Sequence, residues 1–105
     1  MAIKNYTIAT STQTYYQSSG ETVVTPIYLY NRSGSTISAN IFLVDNSSGS
    51  GTANVASQIY GNLTITAGDT YVIDKEKLIL AGNDFIAANC STANALTMTV
   101  SYSSI

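Results

Sequence analysis

The side chains that could do chemistry in this chain are few, and their types exclude most reaction centres. The sequence contains no histidine and a single cysteine, Cys90. Nucleophilic pairs of the Ser/His or Cys/His kind and histidine-based metal sites are therefore excluded. One cysteine can form neither an internal disulfide nor a thiolate zinc site by itself. In the stretch AANCSTAN it stands among small residues, which favours a partly buried structural thiol over a reactive one.

Six carboxylates remain for acid–base chemistry or for metal binding. They are Glu21, Asp45, Asp69, Asp74, Glu76 and Asp84. A glycoside hydrolase needs two carboxylates that face each other across a cleft, and calcium needs clustered oxygen ligands. These carboxylates are scattered along the sequence, several of them in turns or at strand ends, so neither arrangement is predicted. We expect that the protein is not an enzyme, has no catalytic residues and binds no cofactor or metal ion.

The elements that carry these residues are short β-strands, because apolar and polar residues alternate with a period of two. The predicted strands, separated by Gly, Asn and Asp turns, cover residues 3–10, 12–17, 21–31, 36–45, 58–66, 70–74, 78–80, 83–88 and 94–103. Seven to nine short strands predict an all-β fold, either a small antiparallel β-sandwich or a jelly-roll-like domain. The 105 residues are enough for one such domain, which we expect to span residues 1–105.

The connections between these strands carry further predictions. The turn RSGS at 32–35 follows one strong strand and precedes another, so residues 21–45 are predicted to form a β-hairpin. Pro26 predicts an edge position or a bulge, because proline cannot donate a ladder hydrogen bond. Residues 46–57 are rich in Ser, Gly and Asn and have little apolar surface to bury, which predicts a flexible loop or arm. Residues 75–77 are predicted to be a short polar connection.

Alternation also predicts which side chains point away from the core. If Ile27, Leu29, Ile41 and Leu43 fill the core, the opposite positions of these strands point outward. With one residue from the strand at 58–66, the outward set forms a single aromatic face that consists of Tyr28, Tyr30, Phe42, Val44 and Tyr60. An exposed apolar face of this kind on a small domain usually marks an interface.

Two other interpretations of this aromatic face remain open. In the first, the protein's own termini or the 46–57 tract cover it. In the second, the tyrosine rings stack on sugars or bases, with the amides of Asn31, Asn40 and Asn62 beside them, as in carbohydrate-binding modules.

Charge and hydropathy limit the possible partners. Only 10% of the residues are charged and the net charge is -2, which gives no electrostatic reason to bind nucleic acid or an anionic membrane. The apolar runs are far shorter than the roughly 20 residues of a membrane span. No cleaved secretory signal is visible in MAIKNYTIAT, and an unpaired cysteine suits synthesis in a reducing cytoplasm. Low charge also leaves little repulsion between copies, so we expect a homo-oligomer.

Four stretches of the sequence resemble a class of small structural proteins of tailed bacteriophages. They are GETVV, NRSGS, AGDTYVI and LAGNDFIAANCS followed by LTMTVSY; they lie within the longer stretches 6–16, 18–44 and 59–105, over which the resemblance covers most of the chain. The chain departs from the pattern where QSSG replaces a Pro-Ala-Gly turn and where Asn83 is inserted before Asp84. These motifs consist of turns and strands, and no catalytic residue comes with them.

The resemblance implies a virion protein that is made in the host cytoplasm and contacts other virion proteins. Decoration or cementing of the capsid is favoured over a place in the tail or neck. A trimer is favoured over a dimer, by analogy with decoration proteins that sit where three capsid subunits meet. The rival expectation is a carbohydrate-binding module on the virion surface.

Overall fold

The computed structural model describes residues 2–74 and 78–104, and this part of the chain is all-β, as predicted. Its strands are β1 (Ala2–Thr7), β2 (Gln13–Gln17), β3 (Thr22–Asn31), β4 (Ile37–Val44), β5 (Gln58–Ile65), β6 (Thr70–Ile73), β7 (Leu78–Leu80), β8 (Phe85–Cys90) and β9 (Leu96–Ser104). A single 3-10 turn (Val55–Ser57) precedes β5. The polar connection predicted at 75–77, with Glu76, lies outside the described residues.

The strands form two antiparallel sheets that pack face to face. The first sheet has the order β1-β9-β3-β6, and β7 also pairs with β3; the second sheet has the order β2-β8-β4-β5. β6 lies beside residues 27–30 of β3 and β7 beside residues 22–24, so the two share one edge. The pairing is nested along the sequence, so that each pair of strands lies between the members of the pair before it: β1 pairs with β9, β2 with β8, β3 with β6 and β7, and β4 with β5. This order is that of a jelly roll, which confirms the predicted fold class.

β3 and β4 lie in different sheets, so the β-hairpin predicted over 21–45 is wrong. After β3 the chain crosses to the second sheet, and Arg32 N–H donates to the Ala95 carbonyl, 2.9 Å away, at the start of this crossing. The prediction failed because a short Ser/Gly turn allows either a hairpin or a crossing. Local turn chemistry does not specify which sheet the next strand joins.

The core lies between the sheets and is formed by side chains that alternate inward from both. Its fully buried members include Ile8, Val24, Ile27, Leu29, Ile37, Ile41, Leu80, Ile86, Leu96, Met98 and Val100. The core positions predicted at 27, 29 and 41 are thus confirmed, and Leu43 packs against the same cluster while remaining partly exposed.

The bulge predicted at Pro26 is confirmed, and it reverses the alternation in β3. Val24 pairs with Tyr102 and Ile27 with Val100, so β3 has one more residue than β9 in this interval. The extra residue shifts the phase of the pleat. As a result Val24 and Ile27 are both buried in the core, although strict alternation would place two residues three positions apart on opposite faces.

Candidate interaction faces

The five residues predicted to form one aromatic face are distributed over both sheets, so the prediction of a single face is wrong. Tyr28 and Tyr30 lie on the outer side of the first sheet, and each is 42% exposed. Phe42 and Val44 lie on the outer side of the second sheet and are buried. The error follows from the assumed hairpin. Outward side chains of paired strands share a face, but those of strands in opposite sheets point in opposite directions.

Tyr60, the fifth residue, points toward the edge of the core because β5 is bulged. Ile41 pairs with Tyr60 and Ala39 with Leu63, and Asn62, inside this interval, adopts a left-handed backbone with φ 52°. The Tyr60 ring packs against the core and meets the Tyr71 ring edge-on at 6.0 Å. These two rings come from β5 and β6, which are edge strands of opposite sheets, so they lie over the gap between the two sheets at this edge of the sandwich.

The outer side of the second sheet carries an apolar cluster that the protein covers itself. The cluster consists of Phe42, Val44, Phe85 and Ala87, and Ala53 from the 46–57 loop packs against it. Coverage by this loop, one of the alternatives drawn from the sequence, is therefore what the structure shows for this face. Flexibility of the loop stays a prediction.

Several hydrogen bonds hold the 46–57 loop over this cluster. Asn46 N–H donates to Asp84 Oδ1 at 2.9 Å, and Gly51 N–H donates to Asn46 Oδ1 at 2.8 Å. Gly51 lies so close to β4 that a Cβ atom there would overlap the Asp45 carbonyl oxygen and lie 2.9 Å from Val44 Cγ1. The small side chains of the tract therefore allow it to lie flat against the sheet.

The loop ends in a capped 3-10 turn whose apolar side chain faces solvent. Asn54 Oδ1 accepts a hydrogen bond from Ala56 N–H at 2.9 Å, and Ser57 Oγ accepts one from Asn54 N–H at 3.0 Å. This capping box fixes the turn and leaves Val55 88% exposed. The loop thus contacts its own chain through Ala53.

The outer side of the first sheet, in contrast, remains uncovered in the described part of the chain. We call it the open face and define it by the outward positions of β1, β9, β3, β6 and β7. Its exposed large apolar side chains are Ile3, Tyr28, Tyr30, Val72 and Ile79. Around them lie the polar residues Asn5, Thr7, Thr70, Thr97 and Thr99. The described strand positions on this face carry no charged side chain.

Pairing between strands fixes the order of these side chains across the open face. Tyr28 lies opposite Thr99 on one side and Val72 on the other, and Tyr30 lies between Thr97 and Thr70. Thr99 Oγ1 donates to Asn5 Oδ1 at 2.8 Å, which continues the row to β1. The neighbours of the two tyrosines were not predicted, because alternation within a strand does not say which strands lie beside it.

The groups expected to bind sugars are not assembled. Asn31 is fully buried, and its amide donates to the Ser35 and Ile65 carbonyls at 2.8 and 2.9 Å. Asn40 lies on the outer side of the second sheet, whereas Tyr28 lies on the outer side of the first. The Oδ1 atom of Asn40 accepts hydrogen bonds from Gln58 Nε2 and from Asn62 N–H.

The carboxylates Asp84 and Asp45 and the thiol of Cys90, which the sequence offered for chemistry, take part in hydrogen bonds within the fold. Asp84 accepts hydrogen bonds from Asn46 and Ala81 N–H, and a hydrogen bond from Ser47 N–H lowers the pKa of the exposed Asp45 carboxyl. Cys90 is buried, as expected for a structural thiol, and its Sγ donates to the Thr92 carbonyl at 3.1 Å. Within residues 2–74 and 78–104, no group of three or more Cys, Asp or Glu side chains could hold a metal ion.

The same described ranges contain no helix long and apolar enough to cross a membrane. Comparison with protein-family models, with curated proteins and with solved structures found no match for this chain.

Proposed function

We propose that this chain is a structural protein of a virus particle, in which it decorates or cements the capsid of a tailed bacteriophage. The observation that carries the proposal is the open face, whose described strand positions carry apolar, hydroxyl and amide side chains and no charge. Its exposed large apolar side chains stand among hydroxyl and amide groups, and exposed apolar side chains rimmed by polar residues often mark protein–protein interaction sites. Its exposure therefore favours a role in protein assembly.

The fold and the chemistry of the chain agree with this role. Jelly rolls are frequent among viral capsid proteins, although lectins and other proteins share the fold, so this support is analogy. Loop and turn hydrogen bonds occupy Asp84, and Cys90 is buried. A protein present in many copies on a shell gains avidity from repeated weak contacts. The proposed place of action is the virion, after synthesis in the host cytoplasm.

The test compares particles of a tailed phage that encodes this chain with particles from which its gene has been deleted. Gradient-purified wild-type particles are expected to contain the protein in a fixed ratio to the shell protein by mass spectrometry. Cryo-electron microscopy of the two particles should show a difference density on the capsid. Adding purified protein back to the deletion particles should restore that density with saturation.

Other outcomes would overturn the proposal in distinguishable ways. Absence of the chain from purified wild-type particles contradicts a structural role in the virion. Difference density confined to the tail or neck replaces capsid decoration with a place in those parts. Binding to defined oligosaccharides on a glycan array, without binding to particles, favours the carbohydrate-binding module instead.

A further inference from the structure

The open face is suited to a partner with the same surface chemistry, because its polar groups can each donate and accept a hydrogen bond. We propose that its occupant is a second copy of this chain, related by a two-fold axis, with the two open faces packed together. This inference rests on the proposed role of the face in assembly and names the partner.

Self-complementarity follows from the side chains of the face. The hydroxyl groups of Tyr28, Tyr30 and Thr97 can each act as donor and as acceptor, whereas the Thr99 hydroxyl donates to Asn5 Oδ1 and can still accept. A face of one charge would repel its own copy, but the described strand positions of this face carry no charge. Two such faces can therefore meet without placing like charges opposite each other, and their hydroxyls can bond to each other or to trapped water.

The size of the molecule fits an interface of standard dimensions. A standard interface takes about 800 Å² from each partner. That is roughly one seventh of the 5576 Å² accessible surface of this chain. One broad side of a two-sheet sandwich can supply this area, and sheets stack face to face at a spacing of about 10 Å.

Symmetry favours a dimer over the trimer suggested by analogy with capsid three-fold positions. A two-fold interface uses one surface on both copies, whereas a closed ring of three needs two different complementary surfaces on each copy. Within residues 2–74 and 78–104, the open face is the sheet face that no loop covers, whereas the loop residue Ala53 packs on the cluster of the second sheet. The dimer leaves the second sheets and their loops on its two outer sides.

The experiment measures the molar mass of the purified full chain by light scattering and sedimentation equilibrium over a range of concentrations. The wild-type protein should have twice its chain mass of 11.1 kDa. Tyr30→Asp places two carboxylates in the interface and should raise the dissociation constant about 100-fold or more. Ile59→Asp is the matched control, because Ile59 is 41% exposed but lies on β5 of the second sheet. It should leave the dimer intact.

A second measurement covers the case in which Tyr30→Asp fails to fold. Thr99 lies on a central strand of the open face, so Thr99→Cys should give a covalent dimer with a short thiol cross-linker. Thr14→Cys, on the exposed outer side of β2, should not. The native Cys90 is buried and should not react in the folded protein.

Each other outcome contradicts a stated part of the inference. A wild-type monomer at high micromolar concentration overturns the second copy as occupant, and the particle experiment then decides the virion role separately. A trimeric mass overturns the two-fold arrangement, and a dimer that survives Tyr30→Asp overturns the open face as its interface. A dimer whose chain is absent from purified particles retains this inference and contradicts the virion role.

Discussion

Asn31 provides the sharpest test of how this fold is held together, because its side chain connects the two sheets. At the end of β3 in the first sheet, its amide nitrogen donates to the Ile65 carbonyl of β5 in the second sheet, 2.9 Å away. The same nitrogen donates to the Ser35 carbonyl at 2.8 Å, and Oδ1 accepts from Ser33 N–H at 3.0 Å. The perturbation is Asn31→Ala, which removes all of these bonds.

The expected loss follows from the burial of each partner. Asn31 is fully buried, and its bond to the Ile65 carbonyl is formed inside the protein, so losing it should cost about 1–3 kcal/mol. Ser33 and Ser35 are partly or fully exposed, so water can replace their bonds, and each should cost about 0.5–1.5 kcal/mol or less. Together we expect a loss of about 2–4 kcal/mol, a large share of the roughly 5–15 kcal/mol typical of such a domain.

Urea unfolding followed by far-ultraviolet circular dichroism measures this loss. With a slope of about 2 kcal/mol per molar urea, the midpoint should fall by about 1–2 M. All variants are compared in the Tyr30→Asp background, so that self-association does not contribute to stability. Asn31→Asp keeps the shape but replaces the donating nitrogen, so it should destabilise at least as much as Asn31→Ala.

The matched control is Asn54→Ala, which removes the cap of an exposed 3-10 turn. Its effect should be about 1 kcal/mol or less, the usual size for loss of a cap. If Asn31→Ala costs no more than Asn54→Ala, the amide does not hold the two sheets together and the reasoning is refuted.

Two further predictions concern alkaline pH and the covering loop. Burial is the largest cause that raises the pKa of Tyr6 above its ordinary value of 10.0, and the neighbouring Tyr102 and Tyr16 raise it further. The stabilisation that follows from this raised pKa is therefore complete below pH 10 and is lost as the pH rises through the folded-state pKa of Tyr6. Tyr6→Phe should make the fall in unfolding free energy above pH 10 less steep in alkaline urea titrations; an unchanged slope contradicts this. Gly51→Ala should cost about 1–3 kcal/mol by forcing the loop off the sheet. Gly34→Ala, with nothing within 4 Å of the added atom, should be neutral or stabilising by up to about 1 kcal/mol; equal effects would contradict the close approach.

The strands and much of the core could be predicted because they depend on local periodicity. Alternation in residues 21–31 and 36–45 places Ile27, Leu29 and Ile41 on inward faces, and the structure confirms this. Pro26 predicts an irregularity because it lacks an N–H group, and a bulge occurs there. These features need only the chemistry of neighbouring residues.

The composition of the interaction faces could not be predicted, because it depends on pairing between distant strands. One extra residue in β3 buries Val24, and the bulge in β5 turns Tyr60 toward the core. Val72 joins Tyr28 on the open face only through the nested pairing of β6 with β3. Period-two alternation inverts at every bulge, so a single unrecognised bulge reverses the face assigned to the residues beyond it.

The two outer faces of the sandwich differ in whether the chain covers them, and this difference explains the long Ser/Gly/Asn tract at residues 46–57. The second sheet bears a cluster that contains Phe42 and Phe85, and the loop of residues 46–57 crosses above it with Ala53 packed against the cluster. Larger side chains could not pass at Gly51, where even a Cβ atom has no room. The first sheet bears two half-exposed tyrosines and receives no comparable cover from the described chain. The proposed dimer would cover this open face, and the molar mass of the purified chain tests whether it does.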